Sequence, residues 1–233
     1  LCACQKAKNR SKGEEEGKEE KIEHNPYYST GGCCGVNTAR YARHYSLKEI
    51  GKEGQEELQR RHVVIIGIGA LGSTLAMLSV RSGIGRLTLV DRDFVEVPNL
   101  QDQCLYEERD IGEAKAVAAA EHLQRINSQA EIVPVVEDFN PRNAERIIEG
   151  ADLCLDGTDN FETRYVLNDA AVKHHTPWVY MGALRTYGAV MPIIPEKTAC
   201  LECIYPHAPP PGTLPTCESV GVLSSLPNTV ASM

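Results

Sequence analysis

Apolar residues along this chain come in short runs separated by amphipathic stretches, and the two alternate. The run 62–66 (HVVII) reads as a buried strand that feeds Gly67-Ile68-Gly69-Ala70-Leu71-Gly72. A helix is expected from Ala70 to about Ser82, then a strand in Arg86–Val90 that ends at Asp91. A long helix is expected over 112–126, a strand over 131–137 and a short helix after Pro141. Pro134 has no N–H to give a ladder, so the 131–137 strand is expected to be irregular or at a sheet edge. The run 152–156 predicts the next strand. A helix over 160–174 and strands in 177–183 and 187–195 follow. Ahead of all these, Tyr45, Leu47, Ile50 and Leu58 are the apolar points of a helical pattern over 40–61. Alternation of this kind predicts an α/β fold: a doubly wound, Rossmann-like, mostly parallel sheet.

Both ends depart from that pattern. Residues 1–35 include the charge run KGEEEGKEEK, which has nothing to bury, and are expected to be a disordered or non-native tail. The alternating region, 36–195, is expected to be the nucleotide-binding domain. Residues 196–233 are rich in proline and cysteine and are expected to be loop-like. The sequence stops at Met233 inside what reads as the first turns of a helix, so a C-terminally truncated domain is expected.

Composition narrows the classes. The net charge is −8, which argues against nucleic acid as the main partner. No apolar run approaches the ~20 residues of a membrane helix, so no membrane partner is expected and a cytoplasmic location is. Nine cysteines, an odd number with no export signal, do not read as a disulfide framework. Cys154 falls in a strand pattern and is expected in the core. Cys200 and Cys203 form a C-x-x-C pair, half of a tetrahedral zinc site or else a redox pair.

The glycine turn permits close backbone approach to phosphate at the positive end of a helix. Asp91 lies nineteen residues after Gly72, where a carboxylate accepts from a ribose hydroxyl. These features predict a nucleotide site and do not separate ATP from NAD. Later residues bear on the choice. Lys115 falls in the first turns of the 112–126 helix, where a cation opposes the helix dipole unless an anion is near; alone, it reads as an exposed lysine. The segment Asp156-Gly157-Thr158-Asp159-Asn160 ends a strand on the side where open α/β sheets bind ligands. Thr158, Asp159 or Asn160 would equally cap the following helix. A hydride-transfer enzyme needs none of this set, whereas phosphate chemistry needs a cation for phosphates and a carboxylate for Mg²⁺.

Taken together, RYARH, GIGALGS, DRDFVEVPNLQDQ, GEAKA, DGTDN, CLEC and TCES resemble the ThiF/MoeB/HesA family of ubiquitin-activating-enzyme-like adenylyltransferases, in order over about residues 40–233. The resemblance implies an enzyme, a nucleotidyltransferase. It would use Mg-ATP to adenylate the C-terminal Gly-Gly carboxylate of a ubiquitin-like sulfur carrier, ThiS- or MoaD-like, for thiamine or molybdopterin synthesis. It also implies roles. Gly67, Gly69, Ala70 and Gly72 form the nucleotide turn, and Asp91 and Asp93 hold the ribose. Asn99 and Lys115 contact phosphates, with Gln101 and Asn160 also on the cofactor, and Asp159 holds Mg²⁺. Arg43 reaches the phosphates of a neighbouring subunit in a homodimer. Cys200 and Cys203 bind zinc, and Cys217 matches a sulfur-transferring cysteine of some members.

One position departs from the family. Its pattern N-L-x-R-Q reads Asn99-Leu100-Gln101-Asp102-Gln103 here, so an aspartate stands where an arginine meets phosphate. Three readings stand: Arg109 or Arg92 substitutes for the arginine, Asp102 is an error in the sequence, or the protein binds ATP weakly and has lost the adenylation step. The rival readings are a degenerate member that binds a carrier without adenylating it, an NAD-dependent oxidoreductase, and a dehydratase acting on a tRNA-linked carboxylate. The oxidoreductase leaves Lys115, DGTDN and CLEC without a role. Cys200, Cys203 and Cys217 favour the sulfur-carrier branch over the dehydratase.

Overall fold

The middle of the structure is β1 (His62–Ile66), which pairs in parallel with β2 (Arg86–Val90) on one side and β4 (Leu153–Asp156) on the other. A computed structural model describes residues 39–210, 213 and 216–233. The expected tail over 1–35, with Cys2, Cys4, Cys33 and Cys34, lies outside the described residues. The sheet order is β3-β2-β1-β4-β5-β6. Here β3 is Glu131–Val135, β5 is Trp178–Leu184 and β6 is Tyr187–Ile193. All neighbours are parallel except the β5–β6 hairpin, which is antiparallel. The edge position expected from Pro134 is observed: β3 pairs on one side only, with Pro134 opposite Leu89.

Because side chains alternate along a strand, β1 feeds two cores. Val63 and Ile65 join a cluster with Leu71, Leu75, Leu87 and Leu123, while Val64 and Ile66 join Phe139, Ile148, Leu167 and Trp178. The first cluster is roofed by α3 (Ala70–Ser82) and α4 (Lys115–Ile126), the second by α5 (Ala144–Ile148) and α6 (Phe161–Lys173). A strand covered on both faces must read as a continuous apolar run, and that is why β1 was visible in the sequence. Cys154 is fully buried, and burial pushes its thiol up to about 12.

At the far end of β1 and β4, Asp152 clasps the pair. Its carboxylate accepts from the His62 N–H at 2.8 Å and from Arg61 at 2.8 Å.

Three stretches differ from the sequence pattern. The 40–61 helix is two, α1 (Ala42–Tyr45) and α2 (Gly51–Leu58), separated by a turn that ends on Gly51 at φ 61°. The long helix starts at Lys115 rather than 112, because Gly112 has φ 92°, a left-handed conformation that does not continue a helix. The region after Pro195 is more ordered than a loop. It contains α7 (Leu201–Ile204), α8 (Cys217–Val220) and α9 (Ser225–Ala231). Helix α9 packs back on α3, β5 and β6, and Asn228 accepts from the Thr74 hydroxyl. Residues 43–233 form one compact unit. Among the described residues, no helix is long and apolar enough to cross a membrane.

Candidate functional site

The carboxyl ends of β1, β2, β4 and β5 open onto a cavity of about 1040 Å³. Sheet order places it where the winding reverses between β1 and β4, the usual ligand crevice of an open α/β sheet. Close packing of three glycines shapes its floor. Gly67 takes φ 82°, and a Cβ on Gly72 or Gly157 would collide with the Gly67 carbonyl. Gly72 therefore serves close packing of α3 under the turn and does not face the cavity, whereas Gly67, Gly69 and Ala70 do. The first N–H groups of α3 lack partners inside the helix, so this end attracts an anion.

Asp91 stabilises the turn. Its carboxylate accepts from the N–H of Ile68 at 2.7 Å and of Asp93 at 2.8 Å. Burial lifts its carboxyl above the usual range, against the pull of these two N–H groups and of Lys115. Lys115 is 7% exposed on the cavity wall, with its ammonium 3.7 Å from Asp93. A lysine at the start of α4, buried beside one solvated carboxylate, is placed as an anion site needs it.

The opposite wall rests on a buried ion pair. Asp156, fully buried at the end of β4, accepts from Arg164 Nε at 2.8 Å and from the Thr158 hydroxyl and N–H at 2.6 and 2.9 Å. Arg164 also donates to the carbonyls of Thr158 and Met181, at 2.6 and 2.8 Å. Its guanidinium lies over Phe161 and Tyr180, 5.4 and 4.9 Å from the ring centres. Asp159 is exposed beside this wall and lines the cavity. Asn160 both lines the cavity and caps α6, accepting from the Thr163 N–H at 2.9 Å.

Asp102 lines the cavity, half-buried. Burial raises its carboxyl and Lys115 opposes the rise. Of the two expected substitute cations, Arg92 lines the cavity but pairs with Asp138 at 3.0 Å and Asp93 at 3.6 Å. Arg109 is turned to Glu107 at 2.8 Å, outside the lining. Carboxylates thus outnumber cations around the cavity, a balance that suits an anion accompanied by a divalent cation.

Other expected site residues fall elsewhere. Asn99 lies in a 3-10 turn (Val97–Gln101), where its side chain accepts from the Glu96 N–H at 2.9 Å. Gln101 is exposed, and Arg43 is exposed on α1; none of these three lines the cavity. Cys200 and Cys203 also lie outside it, with sulfurs 3.8 Å apart. Burial raises the Cys200 thiol, but hydrogen bonds from the Cys203 N–H and thiol, the Glu202 N–H and the Asn168 side chain together outweigh it, and the net shift is downward. Among the described residues no group of three or more His, Cys, Asp or Glu could hold a metal.

Cys217 does reach the cavity, at the start of α8, and its thiol donates to the Ala183 carbonyl at 3.5 Å. Burial, then Asp159 and Asp102, raise its pKa above that of a free cysteine. A raised pKa means less thiolate at neutral pH and slower nucleophilic attack. Alkylation of Cys217 by iodoacetamide, followed by peptide mass mapping against pH, is expected to shift to lower pH in Asp102→Asn and Asp159→Asn. An unchanged profile would remove the electrostatic account.

Arg164, Gly157, Gln103 and Tyr180 also line the cavity and were not singled out from the sequence. Only Gly157, a glycine at a strand end, carried a signal that would have found it.

A family model described as the ThiF family matches residues 41–233. The sulfur carrier protein ThiS adenylyltransferase of Bacillus subtilis (strain 168) is 40% identical over 189 residues, covering 80% of this chain and 56% of that protein. The sulfur carrier protein adenylyltransferase of Thermus thermophilus is 38% identical over 200 residues, covering 83% and 73%. The crystal structure of E. coli MccB superposes with a TM-score of 0.71 at 25% identity, covering 83% of this chain and 59% of that one. The chain thus spans little more than half of the Bacillus protein and of MccB.

Proposed function

Since this chain belongs to the ThiF family, we propose that it is an adenylyltransferase that activates the C-terminal Gly-Gly carboxylate of a ubiquitin-like sulfur carrier with ATP. The observation that carries the proposal is the buried Lys115 beside the Gly67–Gly69 turn, in a cavity with a solvated carboxylate, Asp159, on its other wall. The names of the Bacillus and Thermus relatives, at 40% and 38% identity, support the carrier as acceptor. A nicotinamide enzyme needs neither Lys115 nor Asp159.

In this reading the turn and the start of α3 receive phosphates, while Asp91 and Asp93 face the ribose. Lys115 neutralises charge at the α-phosphate as the carrier carboxylate attacks it and pyrophosphate leaves. Mg²⁺, held by Asp159, would shield the phosphates from the surrounding carboxylates. Chemistry of this kind is positioning plus charge neutralisation. Arg43, exposed on α1, would act in a second subunit of a homodimer, and Asn99 and Gln101 would contact nucleotide only after their turn rearranges. Cys200 and Cys203 are offered as two of four zinc ligands, with residues 36–195 as the adenylation domain and 196–233 as the zinc-site and crossover segment. Cys217, on the cavity wall, would attack the acyl-adenylate and release AMP to leave a thioester, or would take the outer sulfur of a persulfide donor, which leaves as its thiol. A cytoplasmic location belongs to the same proposal.

Asp102 favours a second reading, a degenerate member that binds its carrier without using ATP. Carrier-dependent ATP–pyrophosphate exchange separates the two. Exchange with a ThiS-like or MoaD-like protein ending in Gly-Gly is expected, and which carrier supports it names the pathway. Carrier binding with no exchange would leave the degenerate reading standing.

A further inference from the structure

Tyr106 stands behind the cavity wall and does not line it. It is 7% exposed, and its ring belongs to the same core cluster as Ile68 and Leu71. Its hydroxyl donates to the Ile68 carbonyl at 2.7 Å and lies 3.3 Å from the Lys115 carbonyl. A hydroxyl has one proton to give, so the shorter bond takes most of it and the longer contact shares the rest. These carbonyls belong to the two segments that the proposed site must hold in register. Ile68 sits within the glycine turn, and Lys115 begins α4.

The opposite edges of the same two residues are also fastened. Ile68 gives its N–H to the Asp91 carboxylate at 2.7 Å, and Lys115 gives its N–H to the Asp93 carbonyl at 2.9 Å. Each residue is therefore gripped at both ends of its backbone, by Asp91 and Asp93 in the segment just after β2 on one side and by Tyr106 on the other. A ring filling the core needs no hydroxyl. Burying one carries a desolvation cost that its hydrogen bond must offset. That bond goes to a backbone carbonyl of the glycine turn.

We propose that Tyr106 is a positioning residue of the nucleotide site: its hydroxyl ties the glycine turn to the start of α4 and so sets where the Lys115 ammonium stands relative to bound phosphate. The inference rests on the adenylation reading above. It makes Tyr106 act through Lys115, and that is what separates it from a role in folding alone.

The test is a double-mutant cycle on the full chain, with Mg-ATP and Mg-pyrophosphate titrated by calorimetry and thermal unfolding followed alongside. Tyr106→Phe keeps the ring and removes only the hydroxyl. It is expected to weaken both ligands about fivefold, a coupling of ordinary size for groups in one network. In a Lys115→Met background the same change is expected to shift affinity by less than about twofold, because the group being positioned is gone. Equal losses in the two backgrounds, or losses that track a fall in melting temperature in both, would overturn the proposal, as would no loss in either. Wild-type protein that binds neither probe would overturn the adenylation reading, and this inference with it. Wild-type binding with no coupling would overturn only the inference.

Discussion

Replacing Asp102 with arginine is expected to tighten Mg-ATP binding about tenfold. The carboxylate lies on the cavity wall, close enough to Lys115 for the two charges to act on each other. It therefore offsets part of the positive field that Lys115 presents to phosphate. Two unit charges ~5 Å apart at an effective dielectric of ~20 interact by ~3 kcal/mol. Reversing the sign would change the energy against one phosphate charge by ~6 kcal/mol before screening. Asp102 is only half-buried, and Mg²⁺ shields the phosphates, so most of that is lost to screening. Keeping about a quarter leaves ~1.5 kcal/mol, a little over a tenfold change in affinity. Asp102→Asn, which removes the repulsion without adding attraction, is expected to fall between. Titration calorimetry decides, and an Asp102→Arg protein that binds Mg-ATP no better than wild type would rule out this electrostatic account of the departure.

Arg164→Ala is expected to cost the largest stability of any single change at the site, about 3–5 kcal/mol. The change strands Asp156, a fully buried carboxylate, without its cation. It also leaves the carbonyls of Thr158 and Met181 without the donor they share. An ion pair of this kind contributes little when compared with a well-packed apolar pair, but breaking one half exposes the full desolvation penalty of the other. Arg164→Lys is expected to recover less than half of the loss. An ammonium cannot reproduce the planar fork that reaches three acceptors while lying over Phe161 and Tyr180. The measurement is the shift in urea midpoint at constant slope. A loss below about 1 kcal/mol would mean that water enters and solvates Asp156.

These two residues mark the limits of what the sequence discloses. Asp102 stood out because it broke a motif whose neighbours were intact. Arg164 did not, since a charge in the first turn of a helix, two places after Glu162, looks solvated. Its burial is decided by Asp156 at the end of β4 and by the Met181 carbonyl on β5, which the chain brings together only on folding. Strands β1, β2 and β4 were legible because sheet positions covered on both faces must be apolar throughout. The α1–α2 break was not, because the apolar spacing runs across it while the left-handed turn at Gly51 interrupts the helix. Side chains at turn positions were the least legible. Asn99 read as a ligand and Asn160 as a ligand or a cap; both cap backbone N–H groups, with only Asn160 also facing the cavity. Spacing reports which residue types gather near a strand end and not which way they turn.

The Asp152 clasp between β1 and β4 joins residues 90 positions apart. Strand β1 is synthesised before β4, so its second neighbour does not exist until β4 has been made. At synthesis rates of roughly 5–20 residues per second, that is a wait of about 5–20 s. During that interval the glycine turn has β2 for company but no Gly157 beneath it, and the face of Val64 and Ile66 lacks most of its cover. The nascent chain therefore spends that time with an apolar half-sheet open to chaperones, and the nucleotide cavity is among the last parts of the fold to be assembled.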